Sequence, residues 1–395
     1  MADISTITIT CILALAALSA VLCLRGKEIK EFVFIAAALI TGSGFITASS
    51  KAAALTSLIL TLVIFLAAIL INRNSAQVKT FAWGVVMTAL ALLSAILYAF
   101  TNNSAFLVFT FAVMLPLFPL HGAYVALLTG LPLTVAAFFS ILMPIMGLYA
   151  IFFMPENTLP FAASLQKIHD SMPDVFAVLG AAGCVYGSLR ALVRNNAAGI
   201  VAYAGLGLTS ILWLGLATGS LDATAALTYM ASLGAVTTGL LLAWRCITVR
   251  YGEMNTDAVT LQIGGLSHST PVFAAFFFFL VWAALGLPPF GLFTGLIEIL
   301  IGISKTVSFW GLAVIMCTWL MASWYFIKFL QKVAFGKAKP GFEHIRLRYR
   351  EGISLLIMLA LLLVLGLGSY ANLENTKEGV GIKNRLNTKT LPWKR

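Results

Sequence analysis

Runs of about twenty apolar residues follow one another along almost the whole chain, and no other feature constrains its fold as strongly. Inside lipid every backbone N–H and C=O has to be bonded within the protein, which leaves helices or a closed barrel. The runs are long and do not alternate, so a barrel is excluded. Charged residues make up only 10% of the 395 positions, against about 25% in soluble domains. The chain therefore reads as an all-α polytopic membrane protein. About twelve transmembrane helices are expected, near 4–24, 31–49, 52–72, 80–100, 105–128, 131–153, 173–193, 197–218, 222–246, 271–303, 307–331 and 352–371. Residues 1–24 have no basic stretch ahead of the apolar run, so a retained helix is expected there rather than a cleaved signal.

Charge sets the orientation. Arg25, Lys27, Lys30, Arg73, Lys79, Arg190, Arg194, Arg245, Arg250 and the basic loop 332–351 all fall on one side of a twelve-span chain. Lys and Arg collect in cytoplasmic loops, so that side is expected to be cytoplasmic and both termini outside, in a bacterial inner membrane. The tail 372–395 opposes this with six basic and two acidic residues, but the loops outnumber it. The net charge of +11 resides mostly in these loops and the tail and needs no nucleic acid. Cys11, Cys23, Cys184, Cys246 and Cys317 show no metal or redox spacing and read as small buried hydrophobes. No nucleotide, flavin, haem or iron–sulfur motif occurs, so no cofactor is expected.

Ionisable groups deep in a span cost about 2.5–3.5 kcal/mol even on lenient scales, which makes each survivor a functional candidate. Glu298, within the 271–303 run, and His121, in a Pro-rich stretch, are the clearest, although either can equally be a satisfied structural group. Asp222, Lys328 and Arg190 lie near span ends and read as snorkelling side chains.

Two spans carry proline interruptions. The first reads LPLFPLHGAYVALLTGLPLT, with Pro116, Pro119 and Pro132; the second reads LGLPPFGLFTG, with Pro288 and Pro289. A proline inside a helix removes a hydrogen bond and clashes with the preceding turn. Paired Gly/Pro-interrupted segments in two halves of a chain mark inverted-repeat ion transporters, whereas a single break is an ordinary packing kink.

Three blocks carry a resemblance to a known family: PLFPLHGAYVALLTGLPLTVAAFFSILMPIMGLYAI (116–151), YGSLRALVRNNAAGIVAYAGLGLTS (186–210) and GGLSHSTPVFAAFFFFLVWAALGLPPFGLFTGLIEIL (264–300). The sequence resembles the antiporter-like membrane subunits of respiratory complex I, shared with Mrp-type cation/proton antiporters and membrane-bound hydrogenases. The similarity runs over about 50–335, and the N-terminal part is shorter than the family's usual fourteen or so spans. The resemblance implies two inverted five-helix repeats, each with a broken helix. On that pattern residues 1–50 form N-terminal helices and 51–153 a first repeat broken near 116–132. A polar loop follows at 154–172, then a second repeat at 173–335 broken near 286–295. Residues 336–395 hold a basic loop, a last helix and a polar tail. It also implies proton or sodium passage along buried lysines, with partners that include intact antiporter-like subunits and a redox module.

Set in register with the family, the relay positions are apolar. Its lysines fall at Ile145 and Ala198, an acid falls at Asn196, a glutamate falls near Leu58, and the terminal Glu/Lys falls at Leu296. His121 keeps the family's histidine, Tyr203 keeps an aligned tyrosine, and Glu298 lies two residues past Leu296. The expectation is a non-catalytic scaffold or coupling subunit with a degenerate relay. The alternatives are an active transporter routed through His121, Tyr203 and Glu298, and a membrane anchor for a non-respiratory complex such as one for inorganic-carbon uptake.

Overall fold

The computed structural model describes residues 2–25, 28–72, 78–155, 158–160, 165, 173–217, 221–249, 265–304, 309–335 and 347–368. Most of the 154–172 loop, residues 336–346 of the basic loop and the tail from 369 onward lie outside this set. The described residues form fifteen helices and no strands. They are α1 (Ala2–Leu22), α2 (Ile29–Ile46), α3 (Lys51–Ile71), α4 (Val78–Thr101), α5 (Ser104–Met114), α6 (Gly122–Gly130), α7 (Leu133–Phe152), α8 (Pro173–Val193), α9 (Ala197–Ala217), α10 (Ala223–Thr248), α11 (Leu266–Ser269), α12 (Pro271–Ala284), α13 (Gly291–Ser304), α14 (Phe309–Ala334) and α15 (Tyr349–Gly368). Ten are long and apolar enough to cross a membrane alone; α5 with α6, and α12 with α13, make two broken crossings, so the described residues cross twelve times.

Helix starts follow local chemistry. The Ser50 hydroxyl accepts from the Ala53 amide at 3.3 Å, and the Asn103 side chain accepts from the Ala105 amide at 3.1 Å. Asp222 caps α10, accepting from the Thr224 and Ala225 amides at 3.0 and 3.3 Å. Partial burial pushes its carboxyl up, but the Thr224 hydroxyl and these amides outweigh burial and hold it below the usual carboxylate range. Its place near a span end is therefore that of a helix cap.

The helix ends sort into two faces. On one, Arg245 pairs with Glu28, Thr134 donates to Glu31, the Gly265 amide donates to the Phe335 carbonyl at 3.2 Å, and Lys328 Nζ reaches the Leu192 carbonyl at 3.5 Å. On the other, Lys51 bonds Asn102 and lies 5.0 Å above the Tyr98 ring. Arg25, Lys30, Arg190, Arg194, Arg245, Lys332 and Arg348 all belong to the first, basic face.

The centre of the bundle is α7, α9 and α10, which are buried along nearly their whole length, while α1–α4, α8, α14 and α15 keep one side outward. Small residues let the central helices close up. A Cβ on Gly187 would lie 2.5 Å from the Gly207 amide nitrogen and 2.9 Å from the Tyr203 carbonyl, so α8 and α9 meet backbone to backbone.

Both proline interruptions are real breaks, and at each an indole engages a freed carbonyl. The first spans 115–121 and holds Pro116 and Pro119; the second spans 285–290 and holds Pro288 and Pro289. The peptide bonds Phe118–Pro119 and Pro288–Pro289 are cis. Trp213 Nε1 of α9 donates to the Leu115 carbonyl at 3.2 Å, and Trp319 Nε1 of α14 donates to the Leu285 carbonyl at 2.7 Å. Trp282 Nε1 also reaches the Pro288 carbonyl at 3.2 Å. Pro132 plays a different part from the one expected. It is the N-cap of α7, after α6 has ended at Gly130, so it marks a turn between crossings and not a break inside one. A ring without an N–H fits there, because the first turn of a helix has no internal partner for that group.

Two stability outcomes follow. Gly187→Ala should lower the detergent-solubilised protein's stability by about 1–3 kcal/mol through overpacking, whereas Gly130→Ala, where a Cβ meets nothing within 4 Å, should be nearly silent on that account. Trp213→Phe and Trp319→Phe each keep an aromatic ring but orphan a carbonyl, and each should cost about 1–3 kcal/mol. Thermal unfolding monitored by cysteine-reactive dye or light scattering reads both pairs.

Candidate functional site

The first break ends at His121, which immediately precedes α6 and is buried. Its ring stacks on Phe118, with centroids 5.7 Å apart and planes 12° apart, and meets Tyr186 of α8 at 5.1 Å. Its Nδ1 is buried with no hydrogen-bond partner. From Tyr186 the contacts continue along α8 and α9. Tyr186 and Tyr203 meet edge to face at 6.2 Å, the Arg190 guanidinium lies 5.6 Å from the Tyr186 ring centroid, and the Arg194 guanidinium lies 4.9 Å from that of Tyr203. Arg194 Nη2 also donates to the Tyr203 hydroxyl at 3.1 Å. His121, Tyr186, Tyr203, Arg190 and Arg194 thus form a chain of polar and aromatic groups from the break to the basic face. Such a chain can order water and anchor cations over rings, but its only classical proton acceptor is His121.

Glu298 stands apart from this chain. It lies on α13, which packs chiefly on α10, and it is partly exposed and engaged with a neighbour. Leu296, two residues earlier, is buried at 2% exposure. Two helical positions are about 200° of rotation, so the two side chains leave α13 on different sides. Two of the three sequence candidates, His121 and Tyr203, share one track; Glu298 belongs to another wall.

The positions that the resemblance sets in register with the family's relay are apolar. Ile145 lies within α7 at 1% exposure, and Leu58 within α3 at 0%. Ala198 sits in the first turn of α9, beside the 194–196 link at the basic face, and Asn196 immediately precedes that helix. These two positions are at the membrane edge, so they do not sit on a mid-membrane row with Ile145.

Several polar contacts were not read from the sequence. Arg245 and Glu28 pair across 217 positions of chain, and Glu31 accepts from Thr134 at the mouth of α7. No local spacing announces these pairs. Tyr186 and Arg190 are four apart on one helix, a spacing that does announce a contact. The Cys23 thiol bonds Ser354 at 3.3 Å and also meets Cys246, so these two cysteines approach although no motif links them. Cys11 and Cys317 are exposed, against the expectation of burial; in an apolar helix wall this is compatible with a small hydrophobe facing lipid. Among the described residues no group of three or more His, Cys, Asp and Glu gathers as a metal site.

Comparison with known proteins agrees with this geometry. Residues 31–322 match the family described as NADH:quinone oxidoreductase/Mrp antiporter, TM. NADH-quinone oxidoreductase subunit N of Moorella thermoacetica is 24% identical over 208 residues, covering 52% of this chain and 43% of that protein. NAD(P)H-quinone oxidoreductase chain 4 of Synechococcus elongatus is 29% identical over 144 residues, 36% of this chain and 26% of its own. The chain thus spans less than half the length of these curated relatives. Among solved structures, a chain of the archaeal membrane-bound sulfane sulfur reductase superposes with a TM-score of 0.77 at 21% identity, covering 91% of this chain and 64% of the other. A chain of the Mrp complex from Dietzia sp. gives 0.74 at 17% identity over 92% and 80%, and one of respiratory complex I from Thermus thermophilus gives 0.71 at 21% over 91% and 79%. The family match covers most of the chain, both breaks included, and the protein belongs to the NADH:quinone oxidoreductase/Mrp antiporter transmembrane family.

Proposed function

We propose that this chain is an antiporter-like membrane subunit of a larger respiratory or hydrogenase-type oxidoreductase complex, where it serves as a scaffold or coupling subunit with a degenerate proton relay. One observation carries the reading. The central helices α7 and α9 contain no Asp, Glu, Lys, Arg or His, and α10 contains only Arg245, near its end and paired with Glu28. A relay through the bundle centre needs groups that store a proton or a charge, and isoleucine and alanine store neither. The indoles at the breaks add support. The Leu115, Leu285 and Pro288 carbonyls accept indole N–H groups, so part of the acceptor capacity that could hold an ion or a water is already engaged.

On this reading residues 51–153 and 173–335 are the two inverted repeats, the basic face is cytoplasmic by the distribution of Lys and Arg, and both ends of the chain lie outside. The partners are intact antiporter-like subunits and a redox module. A second reading has one observation in its favour: the buried, unpaired Nδ1 of His121 is a proton site in want of a partner. It would make the protein an active cation/proton transporter using His121, the tyrosine track and Glu298 by a route of its own.

Affinity purification of the tagged protein from its native membranes in mild detergent, followed by mass spectrometry, tests the first reading. Intact antiporter-like subunits and soluble redox subunits should co-purify in near-equal amounts. Isolation of the protein alone would favour the transporter, and a soluble non-redox partner would favour the membrane anchor; either result overturns the proposal.

A further inference from the structure

At the basic face, a cleft of about 650 Å³ opens between the starts of α12 and α15. Its walls are apolar: Val272, Phe273 and Phe276 on α12, and Ile353 and Leu356 on α15. Tyr349, Gly352, Ile353 and Leu356 follow the i, i+3, i+4, i+7 spacing of a single helix face, and Gly352 leaves room where a side chain would stand. Both helices run from the basic face into the membrane, so the cleft is a slot along their length. It is open to the side: Val272 is 63% and Leu356 56% exposed.

The mouth of the slot has the opposite chemistry. Arg348 lines it, with Ser269 and Thr270 across from it. Glu351, the nearest acid on α15, is buried at 6% exposure and accepts from the Arg348 amide at 3.1 Å, so it caps the start of α15; it does not line the cleft, where Arg348 is the charged residue. Thr270 precedes α12 without a side-chain cap, so the positive end of a 14-residue helix lies at the same mouth. An apolar slot open to lipid, with a cation and an uncapped helix start at the headgroup level, matches one kind of ligand. Basic pockets between transmembrane helices on the cytoplasmic side take anionic lipid headgroups, and the volume lies within the range of small-molecule sites.

We propose that this cleft is a binding site for an anionic phospholipid, its phosphate held by Arg348 and the start of α12 and an acyl chain laid between Val272, Phe276, Ile353 and Leu356. The site is independent of whether the protein conducts ions.

Native mass spectrometry of the detergent-purified protein, exposed to equal amounts of phosphatidylglycerol and phosphatidylcholine, tests this. Phosphatidylglycerol should be retained preferentially. Arg348→Gln should lower its retention about five-fold, the effect of one basic residue near the membrane surface. Val272→Trp, which fills an exposed wall of the slot without touching the core, should abolish retention while thermal unfolding without added lipid stays unchanged. Equal retention of both lipids, insensitivity to both variants, or displacement of the lipid by millimolar inorganic phosphate would overturn the proposal. So would crosslinking of a photoreactive group at position 272 to a neighbouring subunit instead of lipid in the native membrane.

Discussion

Hydrocarbon offers a backbone no hydrogen bonds, and the architecture of this protein is arranged around that fact. Unbroken helices satisfy the requirement by themselves. The two broken crossings do not, and each is closed by an indole from another helix: Trp213 on the Leu115 carbonyl, Trp319 on the Leu285 carbonyl. An unmet carbonyl in this setting costs about 1–3 kcal/mol, so the breaks are held in part by α9 and α14 docked against them. The close approach of α8 to α9 at Gly187 and Gly207 helps to fix α9 in place. Packing of the central helices and survival of the breaks are therefore one problem, solved together.

The same arrangement bears on function. A broken helix in an ion-moving protein exposes carbonyls and helix ends that can bind a charge. Here tryptophans already engage carbonyls at both breaks, and the helices between them are lined with Ile145 and other alkyl side chains. On the proposed reading, the scaffold of the family persists without titratable residues at the positions set in register with its relay. The paired charged residues lie toward the edge, as the Tyr186–Arg190 and Tyr203–Arg194 contacts and the Glu28–Arg245 pair, while the centre keeps uncharged hydroxyls such as Ser140, Thr237 and Thr238. Such pairs are suited to holding helix ends and meeting partners or headgroups more than to carrying charge through the bundle.

Much of this was legible from the residues. The apolar runs located all twelve crossings, and Pro116, Pro119, Pro288 and Pro289 located both breaks, because hydrophobic length and the missing proline N–H are local properties. Pro132 was misread for the same reason: a proline signals that a helix is interrupted, but not whether the interruption is a break or a turn. The register that puts Ala198 opposite a family lysine carries no depth, and the structure alone places that residue in the first turn of α9. Pairs such as Glu28 with Arg245, or Cys23 with Cys246, join segments more than 200 positions apart, and no periodicity encodes them.

The central proposal is that the bundle centre does not pass protons by a lysine route, since Ile145, set in register with a family lysine by the resemblance, is buried and has no titratable group. Purified protein reconstituted alone into liposomes and given a pH or sodium gradient tests it most directly. The account predicts gradient decay no faster than in protein-free liposomes, with Ile145→Lys alone failing to create exchange because Leu58 and Leu296 remain apolar. Robust sodium/proton exchange by the unmodified protein, lost on His121→Ala, would contradict it and establish an independent route through the first break.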